Sequence, residues 1–263
     1  MFDKELSLAK ELAQLAGIEI MKYHKGDFTI NKKYDFNFES PLTIADMKAN
    51  EIIVAGLQKA FDYHILSEES VDDLSRLGKD YVWIVDPLDG TKEFIKGSNE
   101  FTVNIALVKN QKVVLGVIYV PCTEEMYFAV QGQGAYFQKD NFQRKLSVTF
   151  KNILSDMTLV GSKSHKDEKI NKLEKLFNNF VSIGSSLKGC LVAEGKADAY
   201  IRFGPTSEWD ICAMNCIVNE AGGRMTFIDG EEIKYNRKNI RNKGFIVTNA
   251  NSYKQILNLL NDD

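Results

Sequence analysis

Asp86 and Asp89 stand three residues apart directly after the apolar run Trp83-Ile84-Val85, and Gly90-Thr91 follows them. Ligands commonly sit past the carboxyl end of such a strand, next to a helix start whose free N–H groups attract anions. Two carboxylates held together there repel each other unless a cation intervenes. Magnesium takes few carboxylates, keeps waters and shares phosphate oxygens, so Asp86 and Asp89 suit a cation that also grips a phosphate. Taken alone, Asp-x-x-Asp reads equally well as a turn with a helix cap. The other acids carry the same double reading. Glu68 and Glu69 follow a second short apolar run, as a solvated turn or as further ligands. Asp210 opens a helix whose other residues (Ile211, Ala213, Met214, Ile217, Val218) are mostly apolar, where an acid also favours the helix dipole. Asp46 reads as a capping residue or as a base.

The elements that must position these acids are legible from periodicity. Phe2, Leu6, Ala9, Ala13, Ala16 and Ile20 form one helical stripe. Asn31 to Ser40 reads as a polar, aromatic loop, and Thr43-x-x-Asp46 as a capping-box-like start to a helix from about Ala45 to Phe61. Short strand-like runs follow at Tyr63 to Leu66, Tyr81 to Val85, Phe101 to Val108, Lys112 to Tyr119 and Glu125 to Val130. After about Lys151 strands and helices alternate. A strand is expected at Thr158 to Val160, a helix near Glu168 to Phe180 and a Gly-Ser-Ser helix start at 184–186. Beyond these come a helix from about Trp209 to Glu220, strands near Arg224 to Ile228 and Gly244 to Val247, and a last helix from Ser252 to Leu260. The pattern divides into an α+β part over residues 1–145, carrying most of the acids, and an α/β part over 146–263, packed without a flexible join.

Composition limits what this frame can do. A chain of 263 residues with 44% apolar residues can bury a large core. Net charge is −3 with no block of like charge, which argues against a nucleic-acid binder; an anionic substrate would meet local cations only. No apolar run reaches the ~18 residues of a membrane span, and the start Met1-Phe2-Asp3-Lys4-Glu5 has no signal-peptide core. A cytoplasmic protein is expected, with peripheral association at the inner face of the membrane left open. Cys122, Cys190, Cys212 and Cys216 contain no CxxC pair, and there are three histidines, so the cysteines read as reduced core thiols and any metal as hard and oxygen-ligated.

Together the motifs carry a family resemblance over nearly the whole chain. Asp86-Pro87-Leu88-Asp89-Gly90-Thr91, Trp209-Asp210 and Glu220-Ala221-Gly222-Gly223 resemble the signatures of the lithium-sensitive, magnesium-dependent phosphatase superfamily that includes the inositol monophosphatases. The Glu68-Glu69 pair and Ser40-Pro41-x-Thr43-x-x-Asp46 stand in the expected order. Further stretches are similar to the CysQ-type 3′(2′),5′-bisphosphate nucleotidases within it: Gly90 to Ile95, Phe101 to Leu107, Ser162 to His165, Gly184 to Lys188 and Arg202 to Thr206. Lys33 to Glu39 departs from the pattern, being longer and more aromatic. The resemblance implies a layered αβαβα sandwich of α+β and α/β character.

It also implies chemistry: hydrolysis of the 3′-phosphate of adenosine 3′,5′-bisphosphate (PAP) to AMP, with the sulphated nucleotide PAPS as a second candidate substrate. One Mg²⁺ would be held by Glu68, Asp86 and the carbonyl of Leu88, another by Asp86, Asp89 and Asp210. A metal-acidified water would attack phosphorus while the second ion stabilises the leaving ribose oxygen. Thr91, hydrogen-bonded to Asp46, would orient that water, and Glu69 would support a water or ligand of the metal. Backbone N–H groups of Gly90 and Thr91 would hold the scissile phosphate. Ser185, Lys188 and Arg202, with His165 nearby, would read the nucleotide's 5′-phosphate. The rival readings are the same chemistry on an inositol or fructose phosphate, and a catalytically silent nucleotide sensor. Monomer and homodimer are both compatible with the sequence.

Overall fold

A computed structural model of the chain describes residues 2–26, 30–35, 38–162 and 168–261. Its first half runs α1 (Asp3–Met21), β1 (Ile30–Asp35), β2 (Phe38–Thr43), α2 (Ile44–Ala60), β3 (His64–Ser67), β4 (Tyr81–Asp89), α3 (Thr91–Ile95), β5 (Thr102–Lys109), β6 (Lys112–Val120), β7 (Glu125–Val130), β8 (Gly134–Lys139) and β9 (Phe142–Lys145). The second half adds β10 (Thr158–Gly161), α4 (Glu168–Glu174), β11 (Asn179–Ser182), α5 (Leu187–Ala193), β12 (Ala199–Arg202), β13 (Thr206–Ser207) and α6 (Glu208–Glu220). It closes with β14 (Arg224–Phe227), β15 (Arg241–Asn242), β16 (Phe245–Thr248) and α7 (Tyr253–Asn261).

Strand alternation builds the layers. Strands β3 to β9 form a seven-stranded sheet in chain order, parallel only between β3 and β4. On β4, Trp83 and Val85 face one way and pack with α1 and α2 residues such as Ala16, Ile53 and Leu57. Val82 and Ile84 face the other way and join Cys212, Met214, Ile217 and Val218 of α6. That same core contains Tyr200, Phe245 and Val247 from a five-stranded sheet ordered β11-β10-β12-β16-β14. The alternate residues Ala199, Ile201 and Ile246 pack outward with Leu173 of α4 and Ile256 of α7. The order helix, sheet, helix, sheet, helix is the layered sandwich expected above.

The structure departs from the expectations at particular segments. Residues expected as a loop from Asn31 to Ser40 contain a paired ladder, from Ile30 opposite Thr43 to Asp35 opposite Phe38. Pro41 sits in β2 of this two-stranded ribbon, opposite Lys32. The helix expected to reach Phe180 stops at Glu174. A turn in which Leu176 and Phe177 donate to Leu173 and Glu174 reverses the chain, and Asn179 to Ser182 then pairs in parallel with β10. Strands β8, β9 and β12 were not foreseen: the first two mix polar and apolar residues at a sheet edge, and the third has four residues. All four cysteines are free; Cys190, Cys212 and Cys216 are buried, whereas Cys122 is only half-buried.

Candidate active site

The site forms where β4 ends. Pairing with β5 shifts register between Asp86 and Asp89, so the strand bulges there and presents both acids. Asp86 is 1% exposed, and its Oδ1 accepts from the backbone N–H of Leu88 at 3.1 Å. Gly90 follows at φ +97°, and a Cβ there would lie 3.0 Å from the carbonyl of Glu100 and 3.3 Å from Cα of Phe101. Only glycine fits that turn. The backbone N–H of Glu68 donates to the carbonyl of Val85 at 3.1 Å, which brings the end of β3 beside Asp86.

Two of the acids cap helices and also contact other residues of the site. Asp210 closes a capping box with Ser207 at the start of α6, accepting from the Ser207 backbone at 2.6 Å, and also faces the β4 acids. Asp46 closes the equivalent box with Thr43 at the start of α2, its Oδ2 accepting from the Thr43 backbone at 2.8 Å. Its other oxygen accepts from Thr91 Oγ1 at 3.2 Å. Helix-capping geometry thus fixes these carboxylates in place.

Asp86, Asp89 and Asp210 each offer a carboxylate oxygen, and the three atoms lie within 4.8 Å of one another. Burial, then the negative charges of Glu68, Asp89 and Asp210, hold the Asp86 carboxyl well above the usual range. Burial also raises Asp89, opposed by Lys188 and by hydrogen bonds from Ser186 and Asn104. Asp210 is pushed up to about 7, by burial first and then by Asp89 and Glu68. Such a cluster needs a cation to be charged. The donor set is oxygen throughout, so a hard metal ion fits it.

A cleft of about 220 Å³ opens on this cluster, and Glu68, Asp89, Gly90, Thr91, Ser185, Lys188, Arg202 and Asp210 all line it. Asp86 and Leu88 lie buried beneath; the carbonyl of Leu88 is 3.3 Å from Thr91 Oγ1. Glu69 does not reach the lining, although its backbone carbonyl accepts from Asn50 at 3.4 Å. His165 lies outside the described residues. Lys188 is 6% exposed and donates to the backbone carbonyls of Ser185 at 2.7 Å and Ile183 at 3.4 Å, with its ammonium 5.5 Å from the Tyr200 ring. Arg202 brings a buried Nε with no hydrogen-bond partner among the described residues.

Sequence reasoning missed three contributors. Ser186 Oγ donates to Asp89 Oδ2 at 2.7 Å, and Asn104 Nδ2 donates to Ser186 Oγ at 2.9 Å. Thr102 and Asn104 alternate on one face of an otherwise apolar strand, a polar pair that could have signalled a site. Tyr200 shares its strand face with Arg202 in the same way, but β12 itself went unread.

A profile of the inositol monophosphatase family matches residues 2–262. The chain belongs to that family. Among inositol monophosphatase relatives, the 3′(2′),5′-bisphosphate nucleotidase CysQ of Salmonella typhimurium is 41% identical over 246 residues, covering 90% of this chain and 97% of the relative. The crystal structure of CysQ from Bacteroides thetaiotaomicron superimposes with a TM-score of 0.79 at 40% identity, covering 95% of this chain and 98% of that one. A Thermotoga maritima IMPase reaches a TM-score of 0.84 at 28% identity, covering 98% and 97%. The family is metal-dependent, in keeping with the acidic cluster. No helix among the described residues is long and apolar enough to cross a membrane.

Proposed function

We propose that this chain is a Mg²⁺-dependent 3′(2′),5′-bisphosphate nucleotidase that removes the 3′-phosphate of PAP to give AMP. The observation that carries the reading is one cleft lined by two chemically distinct groups: an acid cluster suited to a cation, and Arg202, whose buried Nε has no hydrogen-bond partner among the described residues. A substrate with two phosphates meets both groups. The identity to CysQ nucleotidases supports the same conclusion.

Glu68, Asp86 and the Leu88 carbonyl would hold one Mg²⁺, and Asp86, Asp89 and Asp210 another. Magnesium bound there supplies a Lewis acid that acidifies water and offsets charge on the departing ribose oxygen. The chain's own residues do the rest. With its hydroxyl proton directed to Asp46 Oδ1, Thr91 turns oxygen lone pairs to the cleft, where they accept a hydrogen bond from the attacking water. Gly90 and Thr91 present backbone N–H groups to the scissile phosphate. Ser186 and Asn104 fix one oxygen of Asp89, leaving the other for the cation. Arg202 takes the 5′-phosphate, and Lys188 holds the Ser185 turn while adding positive charge beside Asp89.

The test is phosphate release from PAP, PAPS, inositol 1-phosphate and fructose 1,6-bisphosphate, each with and without Mg²⁺. PAP should be turned over with by far the highest kcat/KM, and only with the metal. Preference for inositol 1-phosphate would replace this reading with that of a sugar-alcohol phosphatase; no turnover of any substrate would leave a nucleotide sensor.

A further inference from the structure

Asn236 is buried, at 4% exposure, and holds a left-handed backbone conformation with φ +56° that asparagine tolerates better than most residues. Its contacts run two ways. The backbone N–H donates to Glu208 Oε2 at 2.6 Å, and Glu208 is the first residue of α6, two before Asp210. The side-chain amide faces the opposite direction. Nδ2 donates to the backbone carbonyl of Arg76 at 2.9 Å, and Oδ1 accepts from Arg76 Nη1 at 2.7 Å.

Both partners are themselves anchored. Glu208 is fully buried and accepts from the Arg237 backbone at 3.1 Å and from Arg237 Nε at 3.0 Å. Arg76, 1% exposed, grips both carboxylate oxygens of Asp72, at 3.0 and 2.7 Å, and so closes the turn that follows Glu68 and Glu69. Asn236 is therefore a rigid link between two segments that each deliver an acid to the site.

We propose that Asn236 is a positioning residue for the metal site, setting how far the Glu68 turn stands from the first turn of α6. The proposal rests on the reading of Glu68, Asp86, Asp89 and Asp210 as cation ligands. Asp86 and Asp89 share one strand and keep their spacing through β4 itself. Glu68 is held to β4 by its bond to the Val85 carbonyl and α6 packs on the same sheet, and Asn236 adds a direct tie between the chain after Glu68 and the first turn of α6. A buried arginine and a buried glutamate are costly unless fully hydrogen-bonded, and here the same asparagine satisfies part of each. A site of this kind works only when its ligands are held within about 0.5 Å.

The experiment is calorimetric titration of Mg²⁺ into the metal-free protein, for the parent, Asn236→Gly and Asn236→Asp, alongside thermal unfolding without metal. Glycine keeps the left-handed turn and the N–H bond to Glu208 but removes both side-chain bonds to Arg76, leaving only the bond from Arg76 Nη1 to the Arg237 carbonyl at 3.1 Å. Its Mg²⁺ affinity should fall about 10- to 100-fold, as for other partners that orient ligands. Aspartate keeps an acceptor for Arg76 Nη1 and loses the donor to the Arg76 carbonyl, so its affinity should fall between the two. If the glycine variant does not fold, the aspartate variant decides alone. Parent-like Mg²⁺ affinity with only a lowered Tm would overturn the proposal and leave Asn236 a support of the fold. A parent that takes up no Mg²⁺ would instead overturn the metal reading beneath it.

Discussion

Thr91 Oγ1 donates to Asp46 Oδ1 at 3.2 Å, while the second oxygen of the same carboxylate caps α2. One acid therefore fixes a helix start and orients a hydroxyl at the cleft. Asp46→Asn separates the two roles. Asparagine keeps an amide oxygen to accept from the Thr43 backbone, so the helix start should persist and Tm should move little. Its amide would donate to Thr91 instead of accepting, reversing the hydroxyl, and kcat for PAP at saturating Mg²⁺ should fall about 10²- to 10⁴-fold. Near-parental kcat in a folded variant would remove the Thr91–Asp46 pair from the mechanism.

Asp89→Asn tests the acid cluster. Ser186 and Asn104 can still bond the oxygen of the amide, and one charge leaves a crowded buried group, so the metal-free fold should be retained. Loss of a ligand should exceed the ~10- to 100-fold effect of its supporting partners. Steady-state rates across a Mg²⁺ series, with circular dichroism as the fold control, make the measurement. Parental kcat at ordinary Mg²⁺ would refute the assignment of Asp89 as a ligand.

The raised Asp210 carboxyl gives a pH dependence with a definite sign. Its folded value of about 7 lies above the ordinary 3.8, so the metal-free folded protein binds more protons than the unfolded chain between those values. That contribution to stability is complete below the unfolded value and is lost as pH rises through about 7. Mg²⁺ displaces the proton and supplies the missing countercharge. The rise in Tm on adding Mg²⁺ should therefore be larger at pH 8 than at pH 6. An equal rise at both would mean that Asp210 is not coupled to the metal.

Arg202 and Lys188 should respond differently to truncation. Arg202→Ala should lower kcat/KM on PAP by roughly 10- to 150-fold, the value of a charge-assisted hydrogen bond of ~1.5–3 kcal/mol, and spare adenosine 3′-monophosphate. Lys188→Met removes bonds to the Ser185 and Ile183 carbonyls and a charge beside Asp89, so both nucleotides should suffer. Equal losses on both substrates for Arg202→Ala would show that it does not read the 5′-phosphate.

The acids were legible in the sequence because each terminates an element whose periodicity is strong. Asp86 and Asp89 end an apolar strand, Asp46 and Asp210 start amphipathic or apolar helices, and helix caps are short-range patterns. What the sequence hid was set at long range. Ser186, Asn104 and Tyr200 matter through partners on other elements, which no local period reports. Strand β12 has four residues, too few for alternation to stand out, yet it lies at the centre of its sheet. The Asn236 link is of the same kind: Arg76 and Asn236, on two ordinary surface-looking segments, become interior only when the fold brings them together.

Helix α6 has every residue from Ile211 to Val218 buried between the two sheets. Amides in such a helix exchange with solvent only when the whole molecule opens. Asp210 rides on its first turn, so the group proposed to bind a cation is tied to a slowly exchanging, buried helix. On the proposed reading, a metal ion exchanges through the mouth of the cleft while the helix that carries Asp210 stays folded.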